Sequence, residues 1–256
     1  MKKYYVKCIS LVALGLISIF LYTSAIARAD RSSRHYYFSV LSGLSWAKIG
    51  KNQSIQILND IPANTYDDNS NHTIKPCIGV AAGVKMLTKK RVNINLGVGV
   101  YTIGSFEAKG KVYQFGDPAY YNMDYTAELH STRIMAEFKI AKAFNTRKAN
   151  IALLPYLTAG LGAAFNNMHS YSEAVTTDTA VAMSPFADKT TIAFAYQLGL
   201  GIDCKFNQHW MVGIGYLFAR FGTARFGLSP AQNTDNKFRT KNIHSNNILA
   251  NVTYVI

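Results

Sequence analysis

A few charged residues interrupt segments of the chain that otherwise alternate between apolar and small side chains. They are Lys85, Arg133, Glu137, Lys139, Asp203 and Lys205. An isolated charge is costly away from water, so charges held inside a protein are expected to pair with one another. The pattern therefore predicts one interior cluster of paired charges. Such a cluster either fills the interior or forms a gated path for ions or protons.

Three His–Ser neighbours are the next candidates for chemistry, because a histidine within reach of a serine can activate it as a nucleophile. They are His130–Ser131, His169–Ser170 and His244–Ser245. Adjacent strand residues point to opposite faces, so we expect none of these neighbours to pair as base and nucleophile. The Gly-x-Gly repeats do not continue into a nucleotide-binding fingerprint, and no metal-binding spacing of His or Cys occurs. We predict no enzyme activity, no cofactor and no metal.

A basic segment near the C-terminal end could bind an anion. Its cations are Arg220, Arg225, Lys237, Arg239 and Lys241. Asp235 is the one carboxylate among them. Arg and Lys form charge-assisted hydrogen bonds with phosphate, and Arg often does so through two bonds at once. The segment is therefore either a phosphate-binding surface or an ordinary solvated loop.

The start of the chain indicates export. Residues 1–27 have a basic beginning, an apolar middle and an Ala-x-Ala end, which is the pattern of a secretory signal peptide. Cleavage would follow Ala27 or Ala29. The apolar run is shorter than the ~20 residues that a spanning helix needs, which disfavours the alternative of an uncleaved anchor. Residues 28–256 then form the mature domain.

The charge balance favours anionic partners. The chain has 27 Lys and Arg against 14 Asp and Glu, a net charge of +13. Residues 1–27 hold three of the lysines, so 24 basic and 14 acidic residues remain, a net charge of +10. An exported protein seldom meets nucleic acid, so the excess indicates a membrane surface instead. Only 16% of residues are charged, against roughly 25% in a typical soluble domain.

Eight segments alternate with a period of two, as β-strands do when one face is apolar. In the clearest segment, Val92, Ile94, Leu96, Val98 and Val100 share one face. The predicted strands are residues 36–47, 75–87, 91–106, 124–142, 151–165, 190–206, 210–221 and 244–256. Long polar connections at 48–74, 107–123, 166–189 and 222–243 alternate with short ones. All four long connections are therefore expected at one end of a single domain.

Side-chain size indicates which face points inward. The weakly apolar face carries the charged residues and many glycines: Gly79, Gly83, Gly97, Gly99, Gly160, Gly162, Gly199, Gly201, Gly213 and Gly215. A soluble lipocalin-type barrel would gain little from a solvent face of glycine, whereas a narrow lumen needs small residues. The bulky aliphatic face, with aromatic residues toward the strand ends, suits lipid. We predict an all-β fold, an eight-stranded antiparallel up-and-down transmembrane β-barrel.

Three stretches of the sequence resemble the small outer-membrane β-barrels of the OmpA, OmpX and opacity-protein type. They are residues 155–162, 195–203 and 210–216, and the last two form the penultimate hairpin usual in that family. The resemblance covers the whole mature chain and implies the outer membrane of a Gram-negative bacterium. Ile256 stands where the family commonly ends in an aromatic residue, although Tyr254 lies two places earlier.

Taken together, the patterns and the resemblance imply a monomeric scaffold that displays four surface loops. We expect a structural and surface-interaction role, adhesin-like, with contacts to outer-membrane lipids and to a host or surface ligand. Passage of small solutes is the first alternative, and modification of lipid A is the second.

Two further expectations concern particular side chains. At the outer surface, the basic segment would meet lipopolysaccharide phosphates through Arg225, Lys237, Arg239 and Lys241. Cys77 and Cys204 fall on opposite strand faces of different strands. A disulfide needs Cα atoms within about 7 Å, so we predict two free thiols.

Overall fold

The computed structural model describes residues 34–87, 92–145, 151–178, 186–228 and 232–256. The predicted signal peptide, residues 1–27, lies outside these ranges. In chain order, the strands are β1 (Arg34–Ala47), β2 (Gln53–Ile55), β3 (Asn64–Asp68), β4 (Thr73–Leu87), β5 (Val92–Tyr113), β6 (Tyr121–Lys142), β7 (Phe144–Asn145), β8 (Ala152–Val175), β9 (Phe186–Ala187), β10 (Lys189–Lys205), β11 (Trp210–Arg225), β12 (Gly227–Leu228) and β13 (Arg239–Val255). No helix within the described ranges is long and apolar enough to span a membrane.

Eight long strands close into a ring, as predicted. Each of β1, β4, β5, β6, β8, β10, β11 and β13 pairs with two antiparallel neighbours. The first and last strands meet along ten residue pairs, from Tyr37 opposite Val255 to Trp46 opposite Asn246. Lipid offers no hydrogen bonds to an open sheet edge, so this closure is what allows the sheet to span a membrane.

The two faces of the wall carry the side chains that the alternation predicts. Val98, Leu157 and Ile214 project outward and are each more than half exposed. Glycines line the inside because the strands pass close together there: a Cβ built on Gly162 would lie 1.9 Å from the carbonyl oxygen of Ile134. Aromatic rings border the outward apolar band, as where Trp210 and Tyr254 lie 4.8 Å apart.

The long connections share one end of the ring, called here the loop end, but they are shorter than predicted. The predicted connection 107–123 is wrong in most of its length, because β5 continues to Tyr113 and β6 begins at Tyr121. The predicted connection 166–189 likewise loses its first ten residues to β8. These extended strands rise beyond the apolar band and form the wall of a folded head.

Backbone bulges mark where the barrel becomes the head. The ladder shifts register between Ile103 and Phe106 in β5, at Ser170 in β8 and at Gly222 and Asn242 in β11 and β13. Ser170, Gly222 and Asn242 have φ of 54°, 78° and 59°, the left-handed conformation that extra bulge residues often adopt. Above the bulges, β3 adds to the free edge of β5, and β2 adds to β3.

Both described cysteines are free thiols, as predicted. Cys77 is fully buried and faces the lumen from β4, whereas Cys204 is half-buried on the outward phase of β10. The opposite orientation of the two side chains explains why they do not pair.

Candidate functional site

Six aromatic rings close the lumen at the loop end, and we call them the aromatic plug. They are Tyr66, Tyr125, Tyr171, Phe186, Phe226 and Phe238. Phe238 is the centre, with its ring centroid 5.5–6.0 Å from each of the other five. Rings at these separations gain stabilisation beyond the apolar area they bury.

The plug joins segments that are far apart in the chain. Tyr66 comes from β3, Tyr125 and Tyr171 from the extended parts of β6 and β8, and Phe186 from β9. The last two rings are held together by the backbone, where Phe226 N–H donates to the Phe238 carbonyl at 3.0 Å. Burial raises the pKa of the Tyr66 and Tyr171 hydroxyls above the ordinary value, so the plug stays uncharged at neutral pH.

Arg133 faces the lumen from β6, four inward positions along the strand from the plug residue Tyr125, and is completely buried. Its guanidinium packs against the rings of Phe221 and Tyr101, at 4.9 and 5.5 Å from their centroids. Its three nitrogens have no hydrogen-bonding oxygen or nitrogen within the described part of the chain. The expectation that every interior charge pairs with another is therefore wrong for Arg133. Cation–π contacts take the place of an ion pair.

Three of the other predicted lumen charges, Glu137, Lys139 and Asp203, are held by polar partners. Lys139 forms an ion pair of 2.6 Å with Asp203, which also accepts a hydrogen bond of 3.2 Å from Asn251. Glu137 accepts hydrogen bonds from the Tyr101 hydroxyl and from Gln197, the latter at 2.6 Å. The structure thus brings Arg133, Glu137, Lys139 and Asp203 into one column inside the barrel.

Two predicted cations lie at the end of the lumen opposite the plug. Lys85 is buried, and its ammonium group lies 3.5 Å from the sulfur of Met211. Lys205 is opposite Met211 in the β10–β11 ladder. No carboxylate of the described chain lies within ion-pair distance of either lysine. The six charged positions therefore line one lumen without forming three complete pairs.

A small polar cavity lies in the lumen beside Glu137 and Lys139. Its volume is about 70 Å³, and its lining includes Glu137, Lys139, Gln197, Asn95 and Asn251. A water molecule needs roughly 10–15 Å³ of such space together with polar partners, so the cavity can hold several waters.

The predicted anion-binding cations are distributed over β11, β13 and the connection between them. Arg225 and Arg239 are directly opposite each other in the ladder, and Lys241 follows on the same outward phase of β13. Lys237 lies in the connection, outside both strands. Arg220 joins this surface, because it projects outward from β11 and donates to the side chain of Asn242.

The argument that sequence-adjacent His and Ser cannot pair is wrong at one site. The bulge at Ser170 turns its side chain toward its neighbour, and His169 Nδ1 lies 2.8 Å from Ser170 Oγ. The opposite ring nitrogen lies 3.8 Å from the Glu128 carboxylate. The other two pairs follow the expectation, since Ser131 and Ser245 are buried in the lumen while their histidines face outward.

An exposed aromatic tip crowns the hairpin of β5 and β6. Phe115 and Tyr120 are about half exposed and meet edge to face at 5.9 Å. Below them, Tyr113 and Tyr121 lie 5.7 Å apart. Phe115 has a φ of 58° and is followed by Gly116 at 70°, so a strained turn holds the ring at the apex.

The sequence reasoning missed both aromatic groups. The tip lies in residues that were predicted to be a polar connection, and the plug is assembled from six separate segments. The available signal was the excess of Tyr and Phe in those connections, which polar loops rarely carry.

Comparison with known proteins gives the family. Residues 13–255 match the model of the outer membrane protein beta-barrel domain. No curated protein matches the chain. The similar solved structures include the Neisserial surface protein A, at 12% identity over 86% of this chain and 96% of that one, with a TM-score of 0.42.

Two further solved structures have similar coverage. OprG of Pseudomonas aeruginosa is 12% identical over 88% of this chain and 98% of that one, with a TM-score of 0.45. Ail, the attachment invasion locus protein of Yersinia pestis, is 10% identical over 87% of this chain and 98% of that one, with a TM-score of 0.35. The ring of eight strands, the lipid-type outer face and the family match place the protein in the Gram-negative outer membrane. Because that match spans nearly all of its length, the chain belongs to the outer membrane protein beta-barrel domain family.

Proposed function

We propose that this protein is a non-conducting barrel that presents its folded head outside the cell to contact a host or surface ligand. The observation that carries the proposal is the aromatic plug, which gives the loop end a core of its own. Loops that share a core hold a fixed shape, so they can present one surface to a partner. The ring leaves no strand edge free in the membrane, which supports a monomer.

The aromatic tip is the part of the head that we assign to partner contact. Phe115 and Tyr120 are large, exposed side chains at the apex of the β5–β6 hairpin. Aromatic residues are enriched among the few residues that dominate binding energy at protein interfaces. The strained backbone at Phe115 costs free energy that a purely structural turn would avoid with glycine.

Passage of small solutes is less well supported. The polar cavity of about 70 Å³ could hold water, but Arg133, Phe221 and Tyr101 lie between it and the plug. A solute entering from the loop end would have to displace both layers. We therefore propose that the charge cluster fills and stabilises the lumen and does not conduct.

Modification of lipid A is also less well supported, despite the contact between His169 and Ser170. The Glu128 carboxylate is 3.8 Å from the imidazole, beyond the roughly 2.6–3.2 Å that an orienting hydrogen bond requires. We propose that the protein is not an enzyme. Ser170→Ala should then leave the mass spectrum of lipid A from expressing cells unchanged, and a mass difference between parent and variant would contradict the proposal.

The proposed surface role is tested by cell binding. A non-adherent Gram-negative strain would express the parent or the double variant Phe115→Ser/Tyr120→Ser, and bacteria bound to cultured epithelial cells would be counted. We expect the variant to lose binding by roughly tenfold, the scale of losing a dominant contact pair. The matched control is Ile61→Ser/Val175→Ser, which removes two other exposed apolar side chains from the loop end. No binding by the parent, or equal loss in both variants, would refute the role of the tip.

A further inference from the structure

A stripe of cations lies on the outer wall directly above the lipid-facing band. Arg220 and Arg225 project outward from β11, and Arg239 and Lys241 project outward from β13. We call these four residues the basic stripe. Beneath them, on the outward phase of the same two strands, lie the apolar side chains of Phe218 and Ile248.

The positive charges of the stripe are not balanced by carboxylates of neighbouring described residues. Arg225 and Arg239 are directly opposite in the ladder, an arrangement in which like charges repel. No carboxylate of the described residues lies within ion-pair distance of any of the four. The Nε of Arg225 is covered and has no hydrogen-bond partner there. An anion seated between the two arginines would relieve the repulsion.

We propose that the basic stripe binds the phosphate groups of lipopolysaccharide in the outer leaflet of the same membrane. Phosphate suits the stripe because each arginine can donate two parallel hydrogen bonds to its oxygens. The inference rests on the proposed outward orientation of the loop end. It adds a lipid partner to that role, separate from the ligand of the tip.

The position of the stripe favours a membrane lipid over a soluble polyanion as its ligand. Its side chains share the outward phase of the lipid-facing residues, so they point sideways into the headgroup layer and not away from the cell. A lipid whose acyl chains pack on Phe218 and Ile248 would carry its phosphates to the height of the stripe. The Asn242 side chain, which accepts a hydrogen bond from Arg220, fixes one cation in place.

The test compares two triple variants of equal net charge. Arg225→Gln/Arg239→Gln/Lys241→Gln neutralises three of the four cations of the stripe, and Lys109→Gln/Lys111→Gln/Lys142→Gln neutralises three cations of β5 and β6. Each protein would be extracted in neutral detergent, and lipopolysaccharide retained per barrel would be measured. We expect the stripe variant to retain about tenfold less lipopolysaccharide than the parent, since several exposed charge contacts of modest strength are lost together. The control should retain nearly as much lipopolysaccharide as the parent.

Two further measurements define the chemistry of the site. Purified barrel would be titrated with phosphorylated lipopolysaccharide, with the same lipopolysaccharide after dephosphorylation and with a heparin fragment. We expect a rise in melting temperature with the first only, weakening as salt is added. The variant Arg225→Lys/Arg239→Lys should retain an amount of lipopolysaccharide between those of the parent and the stripe variant, because the positive charge remains but bidentate hydrogen bonding is lost.

Several results would overturn the proposal. Parent-level retention by the stripe variant would do so, as would equal loss in the charge-matched control or a response to heparin that exceeds the response to lipopolysaccharide. Folding of every variant would be confirmed by refolding in neutral detergent before comparison. If the cell-binding test showed no role for the tip, the lipopolysaccharide measurements would still test the stripe, because Phe115 and Tyr120 lie outside it.

Discussion

Removing the central ring of the aromatic plug should open the head while leaving the barrel folded. Phe238 is 2% exposed and contacts the five other plug rings. Truncating a buried Phe to Ala typically costs about 3–5 kcal/mol. The eight-stranded ring has its own hydrogen-bonded ladders below the bulges, so the cost should fall on the packing of the head.

The expected consequence is exposure of the loop end to protease. When opening is fast compared with cleavage, the cleavage rate follows the open population, and 3–5 kcal/mol raises that population by roughly a hundredfold to several thousandfold. Trypsin added to intact cells should therefore cut Phe238→Ala at Arg225, Lys237 or Arg239 far faster than it cuts the parent. A heat-modifiability gel would report whether the barrel remains folded.

The matched control is Phe115→Ala, which removes an exposed ring from the same head. Its side chain is about half exposed and packs against Tyr120 at the tip, so trypsin resistance should stay close to that of the parent. A folded Phe238→Ala barrel that resists trypsin as the parent does would refute the idea that the plug holds the head closed. Equal sensitivity of Phe115→Ala would refute it as well.

Three further predictions concern the barrel wall. Val98→Arg places a charge on the lipid face and should lower the free energy of unfolding in liposomes by roughly 2–4 kcal/mol near the midplane, measured by urea titration; an unchanged midpoint would contradict the assigned face. Gly97→Ala should impair refolding into detergent, because the added Cβ would lie 2.4 Å from the Ala82 carbonyl oxygen; normal refolding would show that the strands are less tightly apposed. The gel mobility of the protein should not change when reductant is added, because Cys77 and Cys204 are free thiols; a mobility shift would reveal a disulfide.

The sequence allowed the barrel to be predicted because its wall repeats one local rule. From Val92 to Thr102, side chains alternate without interruption between lipid and lumen, and the same rule holds in the other seven long strands below the bulges. Lipid on one side and a narrow lumen on the other constrain every position. The phase of each strand, and with it the placement of Arg133 and Glu137, therefore followed from residue type alone.

The head could not be predicted in the same way because bulges break the alternation. In β5 the register shift after Ile103 brings Phe106 inward, three residues later instead of two. The period-two pattern therefore changes phase at that point, and it continues in the new phase to Tyr113. The same interruption occurs at Ser170. Its side chain was expected to point away from His169, and the bulge turns it toward His169 instead.

Contacts between distant segments account for the rest. Tyr66 and Phe238 touch in the plug, yet nothing local in either segment signals the other. Arg133 illustrates the same limit: its burial on a strand was predictable, but its cation–π partner Phe221 comes from another strand beyond a long connection. The expectation of ion pairing assumed a carboxylate within reach, and ring faces occupy that space instead.

The central claim is that this barrel is closed at its loop end and works as a display scaffold, and the most direct test is conductance. Purified protein would be inserted into planar lipid bilayers, and single-channel current would be recorded in 1 M salt, where the Debye length is about 3 Å. We predict no stepwise current from the parent protein. Stable current steps that scale with salt concentration would contradict the claim and would establish a conducting lumen.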